Sequence, residues 1–156
     1  RAVVSFLTHG LSRMISNQPL TPHGPGFRFI DRFEKTGPAE GMGWKFLDPS
    51  AGFFSDHFPG NPLMPAVLVV ECAAQAAGVL LMGDGKNPTT PVFLASIDQF
   101  RILTPISPGE TLETKVLLEK EFGPLAICAI ECSASGRAVA RGKITLSREI
   151  TKPQPS

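Results

Sequence analysis

The 156-residue chain has few cysteines, few histidines and little net charge, and each shortage argues against a class of protein. Its three cysteines are an odd number and do not suggest a disulfide framework, which favours a reducing, cytoplasmic location. The three histidines are scattered and no cysteine pair has ligand spacing, so we expect no metal site. A net charge of +1 gives no basic footprint for nucleic acid and no general attraction to membranes.

Long apolar runs are also scarce. The longest extends from Ala66 to Met82 and is interrupted by Glu71 and Gln75. It is shorter than the roughly 20 residues that a membrane span needs, so we expect no transmembrane segment. With 42% hydrophobic and 19% charged residues, the composition is ordinary for one soluble globular domain.

The pattern along the chain predicts a single α+β domain over residues 1–150. We expect an amphipathic leading helix within residues 1–18 and a disordered tail over residues 151–156. A buried helix over residues 66–82 precedes long strand-like segments, and Gly123-Pro124 and Ser135-Gly136 predict hairpin turns between them. This order indicates an antiparallel sheet that curls round the helix. The predicted strands cover residues 27–35, 43–47, 92–98, 111–122, 125–134 and 138–148.

The segment from His57 to Gly78 carries residue types that suit acid–base chemistry. His57 lies on a loop stiffened by prolines, and the helix that follows carries Glu71 among apolar residues. Gln75 lies four positions further on, one turn away on the same helix face, where its amide can orient the Glu71 carboxyl group. Taken singly, His57 could be a solvated loop residue and Gln75 a satisfied core amide. Their combination in one short segment favours a catalytic base, an acid and a polar helper.

The start of the same helix predicts an oxyanion site. Pro65 suits the first helical position because it lacks the N–H group that would be left without a partner there. The free amides of Ala66 and Val67 then point out of the positive end of the helix dipole. A carbonyl oxygen that gains negative charge can lie against them, with His57 near its carbon skeleton and Glu71 near a leaving hydroxyl group.

This segment resembles the active-site segment of the hot-dog-fold 3-hydroxyacyl-[acyl carrier protein] dehydratases of type II fatty acid synthesis. The matching residues are His57-Phe58-Pro59-Gly60, the Met64-Pro65 pair, and Glu71 with Gln75. The similar dehydratase-isomerases carry an aspartate at the position of Glu71, so the resemblance is to the plain dehydratases. Flanking matches extend it to about residues 20–147: Thr21-Pro22-His23 and Phe29-Ile30-Asp31-Arg32 before the segment, and Ile97-Asp98 and Pro105-Ile106-Ser107-Pro108-Gly109-Glu110 after it.

The resemblance implies a hot-dog fold, an antiparallel sheet wrapped round a long central helix. It implies a hydro-lyase that dehydrates 3-hydroxyacyl thioesters on acyl carrier protein to trans-2-enoyl thioesters, without a cofactor. The family's base falls on His57, its acid on Glu71, and the amide that stabilises the enolate oxygen on Ala66. A homodimer with each site built from His57 of one chain and Glu71 of the other is implied, often assembled as a trimer of dimers. The remaining predicted oxyanion and substrate-binding residues are Phe58, Gly60, Pro65, Val67 and Gln75.

The chain departs from the family's usual pattern in three places. Ala66 stands where glycine is usual, so an extra methyl group narrows the approach to the thioester. Asp56 stands where a small residue is usual, and a solvated loop carboxylate is the simpler reading of it. Leu103 and Thr104 replace what is often a basic pair, which leaves Arg101 as the cation for an acidic carrier protein.

Two other functions stay open at the level of sequence. A hot-dog acyl thioesterase would hydrolyse the thioester, although such families generally lack the His57 loop motif. A noncatalytic acyl-thioester sensor would be marked by loss of the acid and base, both of which this chain carries.

Overall fold

A computed structural model describes residues 19–83 and 91–149, which form an antiparallel sheet with one long helix packed against it. The predicted leading helix within residues 1–18 and the predicted tail over residues 151–156 lie outside the described residues. The helices are α1 (Gly52–Asp56) and α2 (Ala66–Met82), and a 3-10 helix covers Pro25–Phe27. The strands are β1 (Arg32–Gly37), β2 (Glu40–Phe46), β3 (Phe93–Ile102), β4 (Thr111–Phe122), β5 (Leu125–Ala134) and β6 (Arg137–Ser147).

The sheet has the strand order β1-β2-β4-β5-β6-β3, and α2 packs against β1, β2, β4, β5 and β6. Every second side chain of β4 and β5 points towards the helix, and burying each large aliphatic group there stabilises the fold by about 1.5–3 kcal/mol. None of the helices in residues 19–83 and 91–149 is long and apolar enough to cross a membrane. The most buried core side chains include Leu112, Val116, Ile130, Ile144 and Leu146.

Helix α2 begins at Ala66, so Pro65 lies just before the helix and does not occupy its first position. Pro65 has an extended ψ of 132° and lies at the N-cap. Its carbonyl oxygen accepts hydrogen bonds from Leu68 N at 2.9 Å and Val69 N at 3.3 Å. The predicted placement of Pro65 is therefore wrong by one position, whereas the predicted helix bounds are confirmed. The helix ends at Gly83, whose φ of 69° favours glycine.

The predicted strand over residues 27–35 is wrong in its first half, since β1 begins only at Arg32. Phe29 N donates a hydrogen bond of 2.8 Å to Oε1 of Gln75 on α2. Backbone groups that bind a helix side chain are not free to form a strand ladder. Asp31 N already donates to Trp44 O of β2 at 2.8 Å, so only the stretch before it is bound to the helix. The contacts with Gln75 bring residues 21–27 close to α2.

Strand β3 is longer than predicted, because it continues past a bulge to Ile102. The register shifts between Asp98 and Arg101, and Gln99 has a φ of 50°. A Cβ atom added at Gly142 of β6 would lie 2.5 Å from the Phe100 Cα atom, so only glycine fits opposite the bulge. Side chains of a regular strand alternate between the two faces of the sheet, and the bulge interrupts that alternation. The sequence pattern therefore did not indicate one continuous strand.

β3 is also an edge strand with uncovered apolar side chains. Leu94, Ile97 and Ile102 are 40%, 51% and 42% exposed. Cross-strand partners share one face of a sheet, so these side chains lie on the helix side of the sheet. Within the part of the chain that the structure describes, about half of each of these side chains stays open to solvent. Their partners on β6 are buried in the core: Leu146, Ile144 and Ala140.

Candidate active site

His57 lies on the loop between α1 and α2 and is held by hydrogen bonds on both sides. Its backbone N donates to Phe53 O at 3.0 Å, and Leu63 N donates to His57 O at 2.9 Å. The ring Nδ1 lies 3.0 Å from Leu63 O. Because a carbonyl oxygen can only accept, this contact places the proton on Nδ1 and leaves the lone pair of Nε2 free. That is the state a general base requires.

Phe58 and Gly60 shape this loop. The Phe58 ring stacks on the His57 ring with centroids 4.2 Å apart, and the residue is 54% exposed. Gly60 has a φ of 77°, which a glycine adopts without strain. Asn61 N closes the turn by donating to Phe58 O at 2.9 Å. The substrate-binding roles predicted for Phe58 and Gly60 stay predictions.

His57 and the start of α2 border one cavity of about 270 Å³, which we call the base cavity. Ala66 and Val69 line it from the helix, and residues 102–106 line it from the end of β3 and the loop that follows. The backbone amides of Ala66 and Val67 donate to no acceptor within residues 19–83 and 91–149, so they are available to a ligand. Val67 itself is 74% exposed and does not line this cavity.

Glu71 lies in a different cavity of about 250 Å³, which we call the acid cavity. Its Oε1 accepts a hydrogen bond of 2.8 Å from Gln75 Nε2. The buried Gln75 also donates to Phe27 O at 2.9 Å and accepts from Phe29 N at 2.8 Å. Three hydrogen bonds therefore fix the Gln75 amide, and the amide in turn orients the carboxyl group. The Glu71 side chain is 23% exposed in the single chain. It is therefore less buried than its position in an apolar run of the sequence would indicate.

The two cavities open on opposite faces of α2. At 3.6 residues per turn, Ala66 and Val69 lie roughly 140–160° round the helix axis from Glu71. The cavities also border opposite ends of β3, since residues 92–94 line the acid cavity and residues 102–106 line the base cavity. One chain therefore brings His57 together with Ala66, and Glu71 together with Gln75, but does not bring His57 to Glu71.

His23 is a site residue that the sequence reasoning did not identify. Its Nε2 lies 3.7 Å from Glu71 Oε1, and it lines the acid cavity with Thr21. Arg28 Nε donates to His23 O at 3.0 Å and holds the backbone there. His23 is 48 positions before Glu71 in the chain, so only the tertiary packing of residues 21–31 on α2 brings them together. No periodic pattern in the sequence predicts that contact.

A charged pair supports the wall of the base cavity. Arg137 donates to both carboxylate oxygens of Glu110, at 2.5 and 2.8 Å, and also to Pro105 O at 3.1 Å. Hydrogen bonds from Arg137 above all, and also from Ser107 N and the Ser135 hydroxyl, lower the pKa of Glu110 from its usual 4.5 to about 2. Ile106 O accepts from Met64 N at 2.9 Å, which ties this wall to the start of α2.

The cysteines do not add a nucleophile to either cavity. Cys72, Cys128 and Cys132 are free and buried. Desolvation raises the pKa of Cys128 and Cys132 to about 11 and that of Cys72 well above its usual 9.0, so the reactive thiolate is disfavoured. Asp56 is exposed, as expected of a loop carboxylate. In residues 19–83 and 91–149, no group of three or more potential ligands could hold a metal ion.

Comparisons with known proteins bear on this arrangement. The family model for the FabA-like domain matches residues 21–143. The 3-hydroxyacyl-[acyl-carrier-protein] dehydratase FabZ of Herpetosiphon aurantiacus is 35% identical over 124 residues, which are 79% of this chain and 88% of that protein. Among solved structures, the dehydratase heterocomplex ApeI:P from Xenorhabdus doucetiae matches with a TM-score of 0.58 and 25% identity, over 76% of this chain and 96% of that one. The uncharacterized protein PH1136 from Pyrococcus horikoshii matches with a TM-score of 0.60 and 14% identity, over 79% and 85%.

Proposed function

This chain belongs to the family defined by the FabA-like domain, and we infer that it dehydrates 3-hydroxyacyl thioesters on acyl carrier protein to trans-2-enoyl thioesters. It is a hydro-lyase with the hot-dog fold, and the fold class and activity predicted from the sequence are confirmed. One observation carries the assignment of the reaction to particular residues. His57, whose Nδ1 binds Leu63 O, and the Ala66 amide, which has no acceptor among residues 19–83 and 91–149, border the same cavity.

The reaction divides between the two cavities. His57 Nε2 removes the C2 proton, and the Ala66 N–H group donates to the thioester oxygen as the enolate develops. The C2–H electron pair becomes the C2=C3 double bond when the C3–O bond breaks. Glu71 gives its proton to the departing hydroxyl group, so that water leaves. Gln75 keeps the Glu71 carboxyl group in a fixed orientation, and the thioester itself acidifies the C2 proton.

Because a single chain separates His57 from Glu71, we propose that a second copy completes the site. The uncovered apolar residues of β3 favour pairing of two β3 edges across a two-fold axis. Antiparallel pairing places the start of one β3 beside the end of the other. The acid cavity of one chain then meets the base cavity of its partner, which supports a homodimer with two shared sites. The trimer of dimers and the cytoplasmic location stay predictions.

The docking surface for the carrier protein lies beside the base cavity in this proposal. Arg101 is exposed on β3 and precedes the residues 102–106 that line the cavity. Arg141 on β6 is its cross-strand partner and is also exposed. Two like charges opposite each other are unfavourable, and an acidic carrier protein would relieve that repulsion. In this proposal, Arg101 and Arg141 supply the positive charge that the family often has at the positions of Leu103 and Thr104.

Two substitutions test the assignment. We expect His57→Ala and Glu71→Gln each to lower turnover of 3-hydroxyacyl carrier protein by about 100-fold or more, because each removes one proton-transfer group. Both variants should remain folded by circular dichroism. Glu71→Gln keeps the side-chain volume, and His57→Ala removes only one hydrogen bond and the stacking on the exposed Phe58 ring. Products should be separated by mass, with substrates of several chain lengths. Near-normal turnover by either variant would contradict the mechanism.

An assay of the reverse reaction distinguishes a dehydratase from a thioesterase. Supplied with a 2-enoyl thioester, it should add water and form the 3-hydroxyacyl thioester, because a catalyst of elimination also catalyses the reverse reaction. Free thiol, measured with a disulfide reagent, should not accumulate. Rapid thiol release that is lost in Glu71→Gln would assign the chain to the thioesterases instead.

A further inference from the structure

His23 differs from His57 in how its ring is held. Nδ1 of His57 is bound to Leu63 O, whereas the buried Nδ1 of His23 has no hydrogen-bond partner in the described part of the chain. The His23 side chain is 34% exposed and packs near Phe27, with ring centroids 5.9 Å apart. A ring that no hydrogen bond anchors can turn between the cavity and solvent more readily than an anchored one.

The reaction creates a need for such a group. Each dehydration leaves His57 with the C2 proton and Glu71 as a carboxylate, because Glu71 has given its proton to the departing water. The next turnover cannot begin until His57 releases a proton and Glu71 regains one. Gln75 donates a hydrogen bond to Glu71 Oε1 but cannot transfer a proton to it, since an amide does not ionise near neutral pH.

We propose that His23 returns the proton to Glu71 after each turnover. The proposal rests on the acid role given to Glu71 above. Protonated His23 donates from Nε2 to the Glu71 carboxylate, across a separation that is now 3.7 Å and that a small movement of the ring closes. The N–H bond of His23 breaks, the O–H bond of Glu71 forms, and neutral His23 then takes a proton from solvent. His23 thus acts through Glu71 and does not touch the reacting carbon atoms.

First-turnover kinetics distinguish this role from chemistry. In quenched-flow experiments with excess 3-hydroxyacyl carrier protein, His23→Phe should complete its first turnover at the wild-type rate. Its steady-state rate should then fall by about tenfold or more, because solvent must reprotonate Glu71 without a relay. Glu71→Gln should fail already in the first turnover. If Glu71→Gln keeps its activity, the acid assignment fails, and that result is separate from any result on His23.

Two substitutions separate proton transfer from packing. His23→Phe keeps a ring beside Phe27, whereas His23→Ala opens a space that free imidazole can enter. We expect both variants to be slow in steady state, with imidazole restoring His23→Ala towards the wild-type rate and leaving His23→Phe unchanged. A normal steady-state rate in His23→Phe, with or without impairment of His23→Ala, would overturn the proposal. An absence of imidazole rescue in folded His23→Ala would overturn it as well.

Discussion

At the scale of single residues, Gln75 links the fold to the chemistry. It is 3% exposed, and its amide joins the Glu71 carboxyl group to the backbone of Phe27 and Phe29. The sequence predicted the contact with Glu71, because a spacing of four residues places two side chains on one helix face. It could not predict the contacts with Phe27 and Phe29, which join positions 48 and 46 residues apart.

Gln75→Leu tests this link. The substitution leaves the buried Phe29 N–H without an acceptor, so we expect the free energy of unfolding to fall by about 2 kcal/mol. Activity should fall by about tenfold or more, because Glu71 loses its fixed orientation. Gln75→Glu is the comparison variant, since it keeps an acceptor for Phe29 N while removing the donors to Glu71 and Phe27 and placing a second carboxyl group beside Glu71. Denaturant unfolding and turnover should be measured on both variants, and wild-type activity in Gln75→Leu would show that Glu71 needs no orienting partner.

At the scale of elements, the sequence predicted the bounds of those helices and strands that depend on residues close together in the chain. The bounds of α2 follow from an unbroken apolar run after Pro65, and the bounds of β4 and β5 follow from turns at Gly123-Pro124 and Ser135-Gly136. Residues 27–31 were mistaken for a strand because the backbone of Phe27 and Phe29 binds Gln75, a helix side chain far along the chain. The last four residues of β3 were missed because the bulge at Gln99 breaks the alternation. His57 and Glu71 were named from one short segment, and only the resemblance implied that one site takes them from two chains. Local patterns alone could not predict that His57 and Glu71 border different cavities.

The turn over residues 105–110 offers a test at this scale. Because the pKa of Glu110 is lowered to about 2, the Glu110–Arg137 pair contributes stability above the usual value of 4.5, and that contribution is lost as the pH falls through about 2. We expect Glu110→Gln to lower the unfolding temperature at pH 7 by about 2–4 °C, since the pair is partly exposed. The difference from wild type should shrink as the pH falls from 4.5 towards 2.

Glu121→Gln is the control for that measurement. Glu121 pairs with Arg148 at 2.6 Å, but its side chain is 47% exposed and it supports no cavity wall. We expect a smaller effect on unfolding temperature and none on turnover. A difference between Glu110→Gln and wild type that stays constant down to pH 2 would contradict the role of the ionised Glu110 carboxylate.

At the scale of the whole molecule, the uncovered edge of β3 predicts the assembly. Ile97→Asp should weaken dimerisation by about a hundredfold or more, because pairing would bury a carboxylate without a partner. Sedimentation should then show monomers at dilute concentration, with the fold retained and activity lost. Leu117→Asp on β4 is the matched control, because Leu117 is similarly exposed at 41% but does not lie on the edge strand. A fully active Ile97→Asp monomer would refute the shared site.

Mixing inactive chains tests the shared site directly. His57→Ala and Glu71→Gln chains should recover activity together after subunit exchange, because a mixed dimer holds one intact site and one site that lacks both groups. With random exchange about half of the dimers are mixed, so recovery should approach about a quarter of the wild-type rate per chain. Exchange should be followed with differently tagged chains. Exchange without recovery would mean that His57 and Glu71 act within one chain.

The opposite placement of the two cavities round α2 has a consequence for gene duplication. Within one chain, the helix separates the base from the acid, so each can be lost without disturbing the local structure of the other. After duplication, one copy can lose its histidine and the other its glutamate. Neither product would then work alone, but their pairing would keep one functional site. In the proposed dimer with shared sites, the placement of the two cavities thus opens a route from one self-sufficient gene product to an obligate pair of diverged ones.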